Sequence, residues 1–164
     1  MSFRERLRAD DVEAIRTLVA QTKVFSRAEV EIAVEVATAG LQSGEASGYH
    51  FLVAEDAGRL VGFTAFGPIP ATAASWDLYW ITVDPAGQRH GLGGRLLAAS
   101  EARAAALGCR RIYVDTSGRV DYAPARAFYE RHGYRREATL ADFYAPGDAK
   151  LIYLREIGAS AANR

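Results

Sequence analysis

The sequence predicts an α/β or α+β domain built on a mixed sheet. The order of elements read along the chain is β-αα-βββ-α-β-α-ββ, the 164 residues suit one domain, and about half of them (49%) are hydrophobic, enough for one sizeable core. This order lacks the regular βαβ alternation of a doubly wound nucleotide-binding fold. We expect one domain over residues 1–157 and a frayed tail over residues 158–164.

The first half of the chain predicts one strand, two helices and then three strands. A short strand is expected over residues 3–8, and Asp10 or Asp11 can cap the helix that follows. Ser26 stands three residues before Glu29, which is the spacing of a capping box at the start of the second helix. The three strands, of which the first two form a hairpin, are predicted at 49–55, 59–66 and 76–83.

The second half predicts two helices and three strands. A glycine-rich stretch opens a helix that ends near Gly108, and a strand follows over residues 111–115. Pro124 lies in the first turn of the last helix, which Gly133 closes. The last two strands are expected at 135–140 and 150–156, with a loop between them over residues 142–148.

Composition narrows the classes of partner and compartment. The chain has 20 basic and 20 acidic residues, and this zero net charge argues against nucleic acid or an anionic membrane as the main partner. Its one cysteine, Cys109, cannot form an internal disulfide, which favours a reducing compartment. We find no secretion signal and no apolar run near the roughly 20 residues that span a bilayer, so we expect a cytoplasmic protein. The histidines lack metal-ligand spacing, so we expect no metal: His50, His90 and His132.

The glycine-rich stretch lies where a strand ends and a helix begins. The first amides of a helix have no internal partners, and glycines at 91, 93 and 94 let an anion approach them, so the segment predicts a phosphate site. A turn that merely packs a helix on a strand is the alternative. Arg95 follows where a P-loop needs lysine, and Leu96 stands where a dinucleotide fingerprint needs a small residue.

Two separated motifs give the sequence a family resemblance. The first is Gln88-x-x-Gly91-x-Gly93, and the second is Ala125-x-x-Phe128-Tyr129-x-x-x-Gly133-Tyr134. With this order of elements, the chain resembles the GNAT superfamily of N-acetyltransferases over nearly its whole length. The resemblance implies a mixed, mostly antiparallel central sheet of about seven strands, flanked by about four helices, and a co-substrate, acetyl-CoA.

The resemblance also implies where the coenzyme would bind. The end of the fourth strand, here Ile81, Thr82 and Val83, would bond the pantetheine arm. The loop would bond the pyrophosphate through a run of six residues: Arg89, His90, Gly91, Leu92, Gly93 and Gly94. The chain departs from the family at Tyr122, where many members have an asparagine that contacts the coenzyme.

Two residues are candidates for proton transfer. By resemblance, Tyr129 would protonate the coenzyme sulfur; its alternative role is a core tyrosine. Asp77 is the candidate base, because strand alternation would put it on one face with Tyr79, Ile81 and Val83. Asp115, at the end of the next strand, is its rival. A backbone amide near Val83 would stabilise the oxyanion.

The function expected from these residues is acetyl transfer from acetyl-CoA to a primary amine, on a small molecule or a peptide. Dimers are frequent in the superfamily, so a homodimer is an open expectation. Two alternatives remain: a catalytically inactive acyl-CoA-binding module or sensor, and a nucleotide-binding regulator. Five aromatic residues are candidates for the acceptor pocket: Trp76, Tyr79, Trp80, Tyr122 and Tyr144.

Overall fold

A computed structural model describes residues 1–88 and 90–158 of the protein. Seven strands form one sheet in the order β1-β2-β3-β4-β5-β7-β6. Their bounds are Ser2–Arg4 (β1), His50–Asp56 (β2), Arg59–Pro68 (β3), Ser75–Val83 (β4), Arg111–Ser117 (β5), Arg135–Ala145 (β6) and Asp148–Glu156 (β7).

The described residues form five α-helices beside the sheet. They are Asp11–Gln21 (α1), Arg27–Ser43 (α2), Pro85–Gln88 (α3), Leu92–Ala106 (α4) and Ala123–Arg131 (α5). The one-turn helix α3 accounts for the difference from the four expected. None of the described helices is long and apolar enough to cross a membrane.

All neighbouring strands run antiparallel except β4 and β5, which are parallel. The predicted mixed, mostly antiparallel sheet of seven strands is therefore confirmed. The expected tail lies outside the described residues from position 159 onward.

The two faces of the sheet carry separate cores. Helices α1 and α2 cover one face, and Ile15, Val19 and Ala37 pack there against Val53 and Phe63. The opposite face carries α4 and α5, and its cluster includes Leu92, Leu96, Tyr129, Val114 and Tyr153. We call the first the α1–α2 face and the second the α4–α5 face.

The start of α2 has the predicted cap. The Glu29 amide donates to the Ser26 hydroxyl at 3.2 Å, and the Ser26 amide donates to the Glu29 carboxylate at 2.7 Å. Both halves of the capping box are therefore present, and they fix the point where the loop from α1 turns into the helix.

Strand β1 is shorter than predicted, because it ends at Arg4 rather than near residue 8. The Asp11 carboxylate accepts hydrogen bonds from the Arg4 guanidinium and from the Arg8 amide, the latter at 2.6 Å. These bonds turn the chain into α1 before a longer strand can pair.

The expected loop over residues 142–148 is wrong, because β6 continues to Ala145 and turns directly into β7. The pairing is irregular between Leu140 and Ala145, where Asp142 has a φ of +54°. The Asp142 carboxylate accepts a hydrogen bond from the Gly147 amide at 2.7 Å and so closes the turn. A bulged hairpin therefore replaces the loop.

Candidate active site

The central feature of the site is the place where two parallel strands stop pairing. Strands β4 and β5 pair only over three rungs, Ser75–Asp77 with Arg111–Tyr113. Beyond these rungs β4 continues to Val83 and β5 to Ser117 without pairing to each other. The two strand ends therefore leave a slot between them, which we call the β4–β5 slot.

The edge of β4 offers backbone groups to this slot. The Asp84 amide donates to the Val61 carbonyl of β3 at 2.8 Å. Because backbone groups alternate along a strand, those of Val83 and Ile81 point the other way, toward β5. The backbone groups of Thr82 point toward β3, and its hydroxyl is a buried side-chain oxygen without a hydrogen-bond partner in the described chain.

The start of α4 lies just beyond the end of β4. Gly91 caps this helix with a φ of +68°, and no side chain caps it. The first internal bond runs from the Arg95 amide to the Gly91 carbonyl at 3.2 Å, so the amides of Leu92, Gly93 and Gly94 have no partner within the helix. His90 is exposed in the preceding turn, whereas Arg89 lies outside the described residues.

Two different constraints favour glycine in this loop, namely backbone conformation at one position and close packing at two others. At Gly91 the positive φ favours glycine, and an added Cβ would meet nothing within 4 Å. At Gly94 an added Cβ would lie 2.6 Å from the His132 ring, and at Gly93 it would lie 3.3 Å from the Phe128 ring. Close packing of α5 therefore explains Gly93 and Gly94, where the sequence predicted access for an anion.

Strand β4 contains a bulge that changes which side chains share a face. Trp80 pairs with Ala65 and Leu78 with Phe66, so Tyr79 is an extra residue on β4. Asp77 consequently shares the α1–α2 face with Trp80, and the expectation that it shares a face with Ile81 and Val83 is wrong. Ile81 and Val83 pack on the α4–α5 face.

The surroundings of Asp77 favour the protonated form of its carboxyl. Its carboxyl is half-buried, and no hydrogen bond or ion pair to it is found in residues 1–88 and 90–158. Burial, and then the nearby charge of Asp115, raise its pKa from 3.8 to about 6, while Lys150 acts in the opposite direction. Lys150 binds Asp115 at 2.9 Å, so the rival carboxylate is already paired.

Tyr129 lies on the other side of the sheet from Asp77. The centre of its ring lies 5.6 Å from that of Tyr134 and 6.1 Å from that of Tyr153, and 8% of the residue is exposed. Burial raises its pKa, so the phenol keeps its proton at neutral pH. No group in the described chain hydrogen-bonds its hydroxyl.

Comparison with known proteins places the chain in a family. The model of the GNAT acetyltransferase domain matches residues 47–136, more than half of the chain. The chain belongs to the GNAT acetyltransferase family. It is also 40% identical over 82 residues to the blasticidin-S acetyltransferase of Streptomyces morookaense. That match covers 49% of this chain and 55% of the relative, so it spans about half of each protein.

Solved structures of GNAT proteins share the fold. A member of the family from Desulfovibrio desulfuricans superposes with a TM-score of 0.92 at 41% identity, over 94% of this chain and 98% of that one. An aminoglycoside 6′-N-acetyltransferase complexed with coenzyme A gives a TM-score of 0.75 at 19% identity, over 96% and 97%. The second likeness concerns the fold alone.

The residues of this GNAT domain fit a long ligand that ends in phosphate. In the described residues, a strand edge whose backbone groups point away from β3 leads to a helix start with three amides that have no partner within the helix, where the helix dipole stabilises an anion. Within the described ranges, no group of three or more His, Cys, Asp or Glu side chains is arranged to hold a metal ion.

Three features of the site were missed from the sequence. The bulge at Tyr79 leaves no mark in the residue pattern, and Lys150 was not recognised as the partner of Asp115. Tyr122, which departs from the family pattern, donates a hydrogen bond to the Glu29 carboxylate at 3.3 Å.

Of the aromatic candidates for the acceptor pocket, Trp76 is buried in the α4–α5 core, while Tyr79 and Tyr144 are 39% and 49% exposed.

Proposed function

We propose that this GNAT domain transfers an acetyl group from acetyl-CoA to a primary amine by direct attack. The observation that carries the proposal is the β4–β5 slot, which has free helix amides beyond one end and the unpaired Asp77 carboxyl at the other. The cytoplasm is the compartment we propose, because Cys109 is a buried free thiol.

The coenzyme would be held by backbone groups. Ile81, Thr82 and Val83 would contact the pantetheine arm, with Ile81 and Val83 facing the slot. The pyrophosphate would be held by the loop and the helix start: Arg89, His90, Gly91, Leu92, Gly93 and Gly94. Acetyl-CoA supplies the acetyl group already activated as a thioester, so the protein needs no covalent intermediate of its own.

Asp77 and Tyr129 divide the proton transfers between the two faces of the sheet. Asp77, with a pKa of about 6, is mostly ionised at neutral pH and accepts a proton from the attacking amine, directly or through water. Tyr129 donates its proton to the sulfur as the carbon–nitrogen bond forms and the carbon–sulfur bond breaks. Both residues then exchange protons with solvent. An amide of the β4 edge near Val83 stabilises the oxyanion.

The proposal is tested by binding and by turnover. Calorimetry should show that acetyl-CoA binds and that ATP does not. Mass spectrometry of a panel of amines with acetyl-CoA should then show acetylated product, and the panel should include blasticidin S, an aminoglycoside, polyamines and peptides. Binding without turnover of any amine would favour the alternative of an inactive acyl-CoA-binding module. Failure to bind acetyl-CoA would overturn the proposal.

A further inference from the structure

Three aromatic rings connect strand β4 with the segment that follows β5. Trp80 belongs to β4, and its ring lies 5.0 Å from the ring of Phe25, in the loop between α1 and α2. Phe25 in turn lies 6.2 Å from Tyr122, five residues after the end of β5. Each pair meets edge to face, the arrangement that aromatic quadrupoles favour. We call Phe25, Trp80 and Tyr122 the aromatic bridge.

Polar contacts hold the Tyr122 end of the bridge in place. Its hydroxyl donates to the Glu29 carboxylate at 3.3 Å, and the same carboxylate caps α2 through the Ser26 amide. The guanidinium of Arg119 lies 5.5 Å from the centre of the Tyr122 ring. Burial, and then Glu29, raise the pKa of Tyr122 to about 12, so the hydroxyl remains a donor.

The bridge lies on one side of the slot and Tyr129 on the other. Trp80 is on the α1–α2 face and packs against the core there, whereas Tyr129 belongs to the core of the α4–α5 face. Tyr122 is 9% exposed but belongs to neither core cluster. Its ring is therefore buried by its contacts with Phe25, Glu29 and Arg119.

We propose that the aromatic bridge forms one wall of the slot on the acceptor side, beside the approach of the amine past Asp77, and limits the transferred acyl group to acetyl. The inference rests on the proposed function, because it needs the thioester to lie in the slot. A longer acyl chain would extend from the thioester into the rings of Tyr122 and Phe25, which are fixed by their neighbours. Tyr122 is thus a specificity-determining residue, and the bridge gives a physical role to the position where the family pattern is broken.

The test compares coenzyme A, acetyl-CoA, propionyl-CoA and butyryl-CoA on three proteins. Calorimetry gives the dissociation constant of each, and turnover with an amine from the panel gives kcat/KM. One extra methylene group in a fitted pocket changes the ratio of kcat/KM between two substrates by about 10-fold or more. The wild type should therefore prefer acetyl-CoA to butyryl-CoA by at least about tenfold, while coenzyme A binds normally.

Tyr122→Ala opens the bridge, and Tyr122→Phe is the matched control that keeps the ring but loses the bond to Glu29. Tyr122→Ala should reduce the preference for acetyl-CoA over butyryl-CoA by at least about tenfold in both binding and turnover. Tyr122→Phe should keep the preference. If Tyr122→Ala does not fold, Phe25→Ala opens the same bridge and carries the same expectation.

The outcomes separate the two proposals. A wild type that binds and uses butyryl-CoA as well as acetyl-CoA overturns the inference and leaves the acetyltransferase function standing. An unchanged preference in the folded alanine variants also overturns it. A protein that binds none of the four coenzymes overturns the proposed function itself.

Discussion

At the scale of single residues, the half-buried carboxyl of Asp77 stands out because it has no partner in the described chain. With a pKa of about 6, it gains its charge in the range where a general base is most useful. The kcat/KM of the wild type should therefore rise with pH through about 6. The measurement is a pH profile with one amine acceptor, at saturating acetyl-CoA.

Asp77→Asn removes the base and should lower kcat/KM at pH 7 by about 10²–10⁴-fold. The defect should shrink toward the pKa of the acceptor amine, because free amine then needs no base. Asp115→Asn is the matched control and should cause a smaller loss, since Lys150 pairs with that carboxylate at 2.9 Å. An equal defect of Asp77→Asn at every pH would contradict the role of a base.

Asp77→Asn should also stabilise the folded protein at high pH. The pKa of Asp77 is raised on folding, from 3.8 to about 6, so its favourable contribution is complete below pH 4 and is lost as pH rises through 6. A shift of this size corresponds to about 3 kcal/mol, which solvent screening of the half-exposed carboxyl reduces to about 1–2 kcal/mol. Asp77→Asn should gain this free energy of unfolding at pH 8 and not at pH 4, by urea denaturation.

Tyr129→Phe removes the hydroxyl group that would donate the proton and leaves most of the ring packing intact. We expect kcat to fall by about 10²–10⁴-fold while the dissociation constant of acetyl-CoA changes little. Tyr153→Phe is the matched control, because Tyr153 is a neighbouring core tyrosine whose hydroxyl donates to Glu130 at 2.8 Å. It should lower stability and leave kcat nearly unchanged. A kcat for Tyr129→Phe within about threefold of wild type would remove Tyr129 from the acid role.

Candidate residues for the site could be chosen from the sequence, but the directions of their side chains could not. Motif spacing pointed to Gly91 and Tyr129 as candidates, and strand alternation pointed to Asp77. The face on which Asp77 lies depends on one extra residue, Tyr79, and a strand bulge depends on its partner strand as well as its own residues. The partner of Tyr122, Glu29, is 93 positions away in the chain and could not be found from spacing.

At the scale of elements, helices α4 and α5 pack closely enough to couple the glycine-rich loop to Tyr129. Gly94→Ala would place a Cβ 2.6 Å from the His132 ring and should destabilise the fold by about 1–3 kcal/mol. It should also lower kcat, because α5 carries Tyr129. Thermal unfolding and steady-state kinetics of the variant measure both effects.

A second substitution separates packing from strain in this loop. The pair Gly94→Ala with His132→Ala should regain part of the lost stability, because the smaller residue leaves room for the new methyl group. Gly91→Ala should cost only about 1–2 kcal/mol through its φ of +68°, and the added Cβ meets nothing within 4 Å. No recovery in the double variant would show that the helix contact is not the cause.

Most elements were predictable, and the exceptions have tertiary causes. Strands and helices with clear periodicity lie within a few residues of their expected bounds. Pro146 and Gly147 indicated a long loop between the last strands, but Ala145 pairs with Asp148 of β7, so that strand β6 extends to Ala145 across an irregular stretch. Tertiary pairing therefore overrode the local turn signal.

At the scale of the whole molecule, one sheet holds two cores, and the slot lies where its parallel strands part. The amides of Ile81 and Val83 face this slot, whereas the amide of Thr82 faces β3. Hydrogen exchange should therefore slow at Ile81 and Val83 when acetyl-CoA is added, with Thr82 as the internal control. Exchange that slows equally at all three would indicate general stabilisation rather than a ligand along the strand edge.

The three rungs between β4 and β5 also have a mechanical consequence. In the described part of the chain they are the only strand pairing between a half-sheet of four strands, β1 to β4, and one of three strands, β5 to β7, and the bonds from the Arg110 and Arg111 amides to the Ala74 carbonyl adjoin them. A force that pulls the outer strands β1 and β6 apart would load these few hydrogen bonds first, so the sheet should tear along this seam. A ligand bonded to the ends of both strands would hold the two half-sheets together. The force needed to separate them would then report whether the ligand is bound.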